Sequence, residues 1–244
     1  MEIIDNKALL LKVRQPNKIT EVIPKSKSLS SNEVLVNWGL EEAQVLKNLK
    51  IKNVPSPICR NYKWGGKFKP FEHQKETSSF LTLNRRAFVF NEQGTGKTAS
   101  VIWAADYLMK LGFIKRVLVL CPLSIMQSAW GGDLFKFAIH RSVAIAHSYS
   151  REKRIEVVNS DAEFVICNYD GLQIIRDAVN NNEFDLIVVD EANAYKTVTT
   201  KRWKILNSII KPHTWVWMLT GTPASQSPTD AYGLARIINP ANVP

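Results

Sequence analysis

The stretch FVFNEQGTGKTAS, residues 88–100, decides the fold class. Its first three residues are apolar, as in a buried strand, and a turn with two glycines follows before Lys97 and Thr98. The strict phosphate-loop pattern has a glycine six places before the lysine, where this chain has Asn91. Asn tolerates the unusual backbone angle that such a position can require. The two remaining glycines let backbone N–H groups surround phosphate oxygens at a helix N-terminus. The stretch therefore indicates a strand, a phosphate-binding loop and a helix.

Six short apolar runs alternate with helix-like segments from residue 71 onward. This alternation is typical of a parallel sheet covered by helices on both faces, so we predict an α/β fold. In such a sheet, ligands bind beyond the carboxyl ends of the strands. The predicted strands are AFVF (87–90), RVLVLC (116–121), SVAIAH (142–147), FVICN (164–168), DLIVVD (185–190) and TWVWMLT (214–220). Helices are predicted near 97–110, 124–137, 151–158, 171–179, 199–210 and 229–238.

The run DLIVVDEAN, residues 185–193, places two carboxylates at the end of a predicted strand. Asp190 can hold Mg²⁺ through water beside the Thr98 hydroxyl, because Mg²⁺ prefers oxygen ligands and keeps several waters. Glu191 can polarise an attacking water. Lys97 can reach the β- and γ-phosphates of a nucleotide. The alternative is an acidic pair that only caps the following helix.

The first part of the chain is a small basic unit. Residues 1–70 contain 13 Lys and Arg against 6 Asp and Glu, within a net charge of +10 for the whole chain. We predict strands at 8–13 and 33–38, a helix at 40–50, and a loop over IPKSKSLSSN between the strands. The segment 53–70 is predicted to be a linker whose aromatics are buried, or one that clamps nucleic acid through Trp64 and Phe68. We expect this small α/β unit to bind DNA, because a basic surface attracts phosphate backbones, or to serve as an autonomous packing or specificity module.

The three cysteines are far apart and form no CxxC pair, which favours a reducing, intracellular compartment, cytoplasmic or wherever the DNA is. No apolar run approaches the roughly 18 residues that a membrane helix needs, so no membrane partner is expected. The N-terminus carries acidic residues where a signal peptide would be basic.

Several stretches together resemble the first motor lobe of superfamily 2 helicases and translocases, and within them the Swi/Snf-like group. The resemblance covers residues 68–240 and leaves 1–67 outside, which gives the predicted domains 1–67 and 68–244. In chain order, the matching stretches are FKPFEHQ (68–74, Q motif), NEQGTGKT (motif I), VLVLCPLSIMQSAWGGDLFKF (117–137, motif Ia), FVICNYDGL (164–172, motif Ib), VVDEAN (motif II) and MLTGTPASQSPTDAYGLARIINP (218–240, motif III).

The resemblance implies a RecA-like lobe that binds ATP and Mg²⁺ and moves along nucleic acid, with duplex DNA as the expected track. It implies that Gln74 reads the adenine edge and that Thr98 and Asp190 hold the metal. Hydrolysis would use Lys97, Asp190 and Glu191. The loop residues that would hold the nucleotide are Gln93, Gly94, Thr95, Gly96, Lys97 and Thr98. Thr220 and Thr222 would couple the nucleotide to nucleic acid, and the backbone contacts would be Pro122, Ser124, Asn168 and Tyr169. Ser124 is also a candidate N-cap for a helix over 125–137.

The chain departs from the family pattern in three ways. The stretch ASQSP, residues 224–228, replaces the I-Q-N stretch that is common after TGTP. Asn193 stands where the pattern DEAH has histidine, although an amide can still form a hydrogen bond. The chain reaches Pro244, where a first lobe would end, so a second lobe is expected in the native chain or from a partner. We therefore expect an ATP-dependent translocase or helicase whose isolated lobe is inactive or slow. The alternatives are a stand-alone ATP-binding switch completed by a partner, and an RNA-directed helicase.

Overall fold

A computed structural model describes residues 1–222 and 229–243. The chain divides into two compact units, one of residues Met1–Lys63 with Thr82–Asn84, and one of Trp64–Leu81 with Arg85–Pro244. We call them the N-terminal unit and the large unit. The predicted domain boundary after residue 67 stays a prediction.

The N-terminal unit is an antiparallel sheet with the strand order β1-β2-β4-β3 and short helices. Alternate residues of two strands, Leu9 and Leu11 with Val34 and Val36, are buried in its core. The predicted strands at 8–13 and 33–38 and the helix at 40–50 are confirmed. Its elements are β1 (Glu2–Ile4), β2 (Ala8–Lys12), α1 (Asn17–Val22), β3 (Lys27–Ser28), β4 (Glu33–Asn37), α2 (Leu40–Asn48) and α3 (Ile58–Asn61).

Two predictions about irregular segments need correction. The predicted loop between the two long strands contains β3, because Lys27 and Ser28 pair with Leu35 and Val34 of β4. The predicted linker over 53–70 contains α3 and the buried Ile58. A buried apolar side chain holds this segment in a regular structure although the segment is rich in proline and glycine.

The large unit contains a six-stranded parallel sheet in the order β5-β10-β9-β6-β8-β7. Helices cover it, so the predicted α/β fold is confirmed. Its strands are β5 (Arg86–Val89), β6 (Val117–Cys121), β7 (Val143–Ile145), β8 (Phe164–Asn168), β9 (Leu186–Val189) and β10 (Trp215–Leu219). Its helices are α4 (Glu72–Thr82), α5 (Lys97–Lys110), α6 (Gly132–Phe137), α7 (Arg151–Asn159), α8 (Tyr169–Asn181), α9 (Lys201–Ile209) and α10 (Asp230–Ile238).

The central strands are buried on both faces, which explains their continuous apolar sequences. Every residue of β6, β9 and β10 is buried. The parallel pairing places the carboxyl ends of all six strands at one edge of the sheet. The loop after β5, the acidic pair after β9 and Thr220 after β10 are therefore at that same edge.

The segment after β6 differs from the single helix predicted over 124–137. It is a 3₁₀ turn at Leu123–Ile125, a π-helical stretch at Met126–Gly131 and then α6. Ser124 lies inside the 3₁₀ turn, and its carbonyl accepts a hydrogen bond from Ser128 Oγ at 3.1 Å. The prediction that Ser124 caps a helix is wrong. The wide π turn places Trp130 in the interior, where it is fully buried.

None of the helices in residues 1–222 and 229–243 is both long enough and apolar enough to cross a membrane.

Candidate nucleotide and nucleic-acid site

The loop between β5 and α5 has the backbone of an anion cradle. Gly94 and Gly96 have φ values of +78° and +76°, which glycine adopts without strain. Helix α5 begins at Lys97, directly after Gly96, so its unpaired N–H groups face the loop. The half-buried Thr98 is the second residue of that helix. The predicted phosphate loop therefore has the backbone that a phosphate group would require.

Lys97 is anchored inside this loop. Its Nζ donates to the carbonyl oxygens of Asn91 and Glu92, both at 2.9 Å, and the residue is 9% exposed. Among described non-glycine residues, those with positive φ are Asp5, Asn6, Lys50, Asn53 and Glu191. The expectation of an unusual backbone angle at Asn91 is therefore wrong. The Asn91 amide instead donates to Thr77 Oγ1 at 2.9 Å, which ties the loop to α4.

Helix α4 carries Gln74 against the same loop. Gln74 Oε1 accepts from the N–H of Phe71 at 3.0 Å, and its Nε2 donates to the carbonyl of Thr95 at 3.1 Å. His73 Nε2 lies 3.0 Å from the same carbonyl oxygen. A Cβ on Gly96 would lie 2.1 Å from Gln74 Nε2, so a side chain at this position would displace the Gln74 amide. The sequence placed Gln74 in the site but did not identify its neighbour His73.

Asp190 follows β9 and is held by two donors. Trp130 Nε1 donates to Asp190 Oδ2 at 2.9 Å, and the N–H of Glu191 donates to Oδ1 at 3.0 Å. Burial raises the pKa of Asp190, while these two hydrogen bonds and the positive charge of Lys97 oppose that rise. The structure thus brings Lys97 and Asp190 within electrostatic reach of each other.

The backbone at Glu191 is strained. Its φ of 48° and ψ of 55° are left-handed, which is uncommon for a residue with a side chain. The Tyr169 hydroxyl donates to the carbonyl oxygen of Asp190 at 2.5 Å and lies 3.4 Å from that of Glu191. Arg202 packs over the Tyr169 ring, with Cζ 5.2 Å from its centroid. Tyr169 therefore supports the main chain that carries both carboxylates.

The end of β10 reaches the acidic segment through a short chain of hydrogen bonds. Thr220 is fully buried, and its N–H donates to the carbonyl of Val89 at 3.0 Å. Thr220 Oγ1 accepts from the N–H of Thr222 at 3.1 Å. Thr222 Oγ1 in turn accepts from Asn193 Nδ2 at 2.7 Å. The amide that replaces histidine thus forms a hydrogen bond. Residues 223–228 of the predicted motif III lie outside the described residues.

The predicted nucleic-acid contacts lie after two neighbouring strands. Pro122 and the exposed Ser124 follow β6, and Asn168 ends β8, where it is opposite Cys121 in the register. The Asn168 Oδ1 atom is buried without a hydrogen-bond partner in the described part of the chain. Tyr169 begins α8, but its hydroxyl is already used by the Asp190 carbonyl. The structure therefore gathers these residues at the edge that also holds the phosphate loop.

Few of the described side chains at this site could bind a metal ion. No cluster of three or more His, Cys, Asp or Glu side chains suited to a metal ion is found in residues 1–222 and 229–243. Mg²⁺ at a nucleotide is usually bound by one or two protein groups and by phosphate oxygens and water. The Thr98 hydroxyl and the Asp190 carboxylate fit that requirement.

Comparison with known families agrees with this geometry. The model of the SNF2-related domain matches residues 22–243. The chain belongs to this family. The match covers most of the N-terminal unit and nearly all of the large unit, including the phosphate loop and the acidic pair.

Two individual relatives agree with the family match. The uncharacterized ATP-dependent helicase YqhH of Bacillus subtilis is 25% identical over 213 residues, which are 85% of this chain and 36% of that protein. The SWI/SNF-related matrix-associated actin-dependent regulator of chromatin subfamily A-like protein 1 homolog of Caenorhabditis elegans is 27% identical over 197 residues, 80% of this chain and 28% of that protein. The chain thus spans between about a quarter and little more than a third of the length of these two relatives.

A solved structure gives the same fold. The Sulfolobus solfataricus SWI2/SNF2 ATPase core in complex with dsDNA matches with a TM-score of 0.65 and 26% identity, over 73% of this chain and 37% of that chain. The predicted RecA-like, Swi/Snf-like lobe is therefore confirmed as the fold of the large unit.

Proposed function

We propose that the chain is the ATP-binding part of a motor that moves along duplex DNA. The observation that carries this proposal is the meeting of the two halves of the site. Lys97 lies in a glycine loop at the start of α5, and its charge acts on the buried Asp190 at the end of β9. A cation, a metal-binding carboxylate and a neighbouring glutamate at one sheet edge are the parts that phosphoryl transfer to water needs.

Each residue has a role in this proposal. Lys97 leaves the two loop carbonyls and neutralises the β- and γ-phosphates of ATP. Thr98 and Asp190 would hold Mg²⁺, which would supply charge neutralisation at those phosphates. Glu191 orients and polarises the attacking water. Gln74 reads the adenine edge with the N–H and the lone pair that its bonds to Thr95 and Phe71 leave available.

The nucleic-acid surface is the other part of the proposal. Pro122, Ser124 and Asn168 contact backbone phosphates, which are commonly bound by hydroxyls, amides and helix N-termini without reading sequence. The net charge of +10 favours a polyanion. The DNA complex of the SWI2/SNF2 core supports duplex DNA as the track.

The hydrogen bonds from Thr220 through Thr222 to Asn193 connect the nucleotide edge with the segment after β10. We propose that they couple the nucleotide state to nucleic-acid contact. A second RecA-like lobe, in the same chain or from a partner, supplies the arginine that typically contributes about 10³–10⁵ to such rates. The lobe alone is therefore slow or inactive.

The test compares nucleotide binding and DNA-stimulated hydrolysis in variants of the protein with its second lobe present. Lys97→Ala should lose nucleotide affinity, whereas Glu191→Gln should keep it and lose hydrolysis. The matched controls are Lys115→Ala and Glu183→Gln, because both residues are exposed and precede β6 and β9 at the opposite edge of the sheet. Turnover retained by Glu191→Gln would contradict its role. If RNA stimulates ATP hydrolysis more strongly than duplex DNA does, RNA and not duplex DNA is the track.

A further inference from the structure

We propose that a cationic cleft in the N-terminal unit binds a backbone phosphate of nucleic acid. The cleft encloses about 530 Å³ between the segment after β2 and the turn that joins β3 to β4. It is lined by Arg14, Gln15, Pro16, Asn17, Lys18, Ser28, Ser30 and Ser31. Seven of these eight described residues carry side-chain hydrogen-bond donors, and none is acidic. The hydroxyls of Ser28 and Ser30 already donate within the unit, so the donors that face a ligand are those of Arg14, Lys18 and the remaining polar residues. The proposal rests on the proposed function, because it adds a second contact for the same partner.

The two charges of the cleft are available to a ligand. Arg14 and Lys18 are exposed and form no ion pair within the described residues. The neighbouring Lys12 differs, because its Nζ lies 3.8 Å from Glu33 Oε1. Arginine, lysine, serine, asparagine and glutamine are the side chains that most often contact phosphate oxygens. The composition of the cleft therefore matches a phosphate diester.

The walls of the cleft are held in place before any ligand arrives. The N–H of Val13 donates to the carbonyl of Asn32 at 2.8 Å, which joins the end of β2 to the serine-containing turn. Within that turn, Ser28 Oγ donates to the carbonyl of Ser30 at 3.0 Å. On the other wall, Ile19 and Ile23 anchor α1 in the core. A site fixed in this way loses little conformational entropy on binding.

The same residues argue against a free nucleotide as the ligand. A nucleotide pocket needs apolar or aromatic surface to cover the base. None of the eight lining residues is aromatic, and the only apolar one is Pro16. A charged, hydroxyl-rich cleft without a stacking surface instead suits the sugar-phosphate backbone, which it would bind without sequence preference.

The experiment measures binding of the 244-residue chain to a fluorescein-labelled 30-base-pair DNA duplex by anisotropy, at a series of KCl concentrations. The variant is Arg14→Ala/Lys18→Ala. The matched control is Lys7→Ala/Lys52→Ala, which removes the same charge from exposed residues that do not line the cleft. Lys7 directly precedes β2, whereas Arg14 follows its other end. Thermal unfolding of both proteins verifies that neither change affects the fold.

We expect the slope of log affinity against log salt to become shallower by about 1 in the cleft variant, since the cleft holds one phosphate and each lost phosphate contact removes about 0.9. The control should keep the slope of the unmodified chain. Equal slopes for both variants would overturn the proposal. Absence of salt-dependent binding in the unmodified chain would instead overturn the nucleic-acid function itself. Parallel titrations replace the DNA with an RNA duplex or add inorganic phosphate as a competitor, and they show whether DNA, RNA or any phosphate fills the cleft. If inorganic phosphate competes for the cleft and neither duplex binds there, the proposed backbone contact is contradicted.

Discussion

The indole N–H of Trp130 donates to Asp190 Oδ2 at 2.9 Å, although the two residues are 60 positions apart. Trp130 belongs to the π-helical stretch Met126–Gly131, and π-helical turns are rare and often found at functional sites. The stretch directly follows the proposed phosphate contacts Pro122 and Ser124, and its buried Trp130 contacts the proposed metal ligand. Trp130 therefore links Asp190 to the segment next to the proposed nucleic-acid contacts.

Replacement of Trp130 by phenylalanine tests this role. The variant keeps a buried ring but leaves Asp190 without one donor, which raises the pKa of the carboxyl further. Because Mg²⁺ requires the ionised form, the acid limb of Mg²⁺-dependent hydrolysis should move to higher pH, with a loss of about tenfold on that limb. A hydrogen bond to a charged group contributes about 1.5–3 kcal/mol. The measurement is the pH profile of hydrolysis.

Trp103→Phe is the matched control for that measurement. Trp103 is also buried, and its Nε1 donates to the carbonyl of Gly65 at 3.0 Å, without any contact to Asp190. Its loss should cost stability and leave the pH profile in place. An identical shift in both variants would mean that Trp130 acts only through packing.

The two glycines of the phosphate loop should respond differently to alanine. Both have positive φ, so both variants incur a backbone cost of about 1–2 kcal/mol and bind ATP more weakly. Only the Cβ at Gly96 meets another atom, Gln74 Nε2 at 2.1 Å, while Gly94 has no atom within 4 Å of that position. Gly96→Ala should therefore also lose the preference for ATP over GTP. Competition binding with ATP and GTP measures this preference. If Gly94→Ala and Gly96→Ala prefer ATP to the same degree, Gln74 does not recognise adenine.

The hydrogen bond between Asn193 and Thr222 predicts a defect in coupling. Asn193→Ala and Thr222→Val should each reduce nucleic-acid-stimulated hydrolysis about fivefold, the equivalent of about 1 kcal/mol, with nucleotide affinity unchanged. The double variant should be no worse than either single variant, because both remove the same contact. Additive losses in this double-mutant cycle would show that the 2.7 Å contact does not carry the coupling.

Among these variants, replacement of Asp106 should lower the free energy of unfolding the most. Its fully buried carboxylate accepts from His140 Nε2 and Arg141 Nε, both at 2.7 Å, and lies 2.7 Å from Lys110 Nζ. Asp106→Ala should lower the free energy of unfolding by about 3 kcal/mol, because partly buried cations lose their counterion. Asp177→Ala is the control, since that carboxylate is 72% exposed and its pair with Arg176 contributes little. Chemical denaturation compares the two, and similar losses would contradict the role of Asp106.

The sheet was predictable because its strands are buried on both faces. The run RVLVLC at 116–121 became β6 at Val117–Cys121, and DLIVVD became β9 at Leu186–Val189. Every residue of the two observed strands is apolar, and the charged residues Arg116, Asp185 and Asp190 beside them kept the predicted ends within one residue of the observed ones. In the N-terminal unit, β1 and β3 are short and mostly exposed, and no apolar pattern marked them.

Contacts within the site were less predictable than its members. The glycine loop and the acidic pair follow from local sequence, but Trp130 reaches Asp190 only because a π turn changes its direction, and helical periodicity cannot reveal that. The unusual backbone was expected at Asn91 and occurs at Glu191. Asparagine has the better intrinsic preference, yet the tertiary contact from Tyr169 to the Asp190 carbonyl supports the strain one residue later.

The position of β5 in the sheet has a consequence for synthesis. In the described sheet β5 is an edge strand that pairs with β10, so Arg86 finds its partner Val216 roughly 130 positions later in the chain. A nascent chain that has left the ribosome only as far as β9 has the loop sequence but no strand beside β5. The loop therefore gains its neighbouring strand only after β10 has been synthesised, and until then β9 has an unpaired, apolar edge that can bind other chains or chaperones.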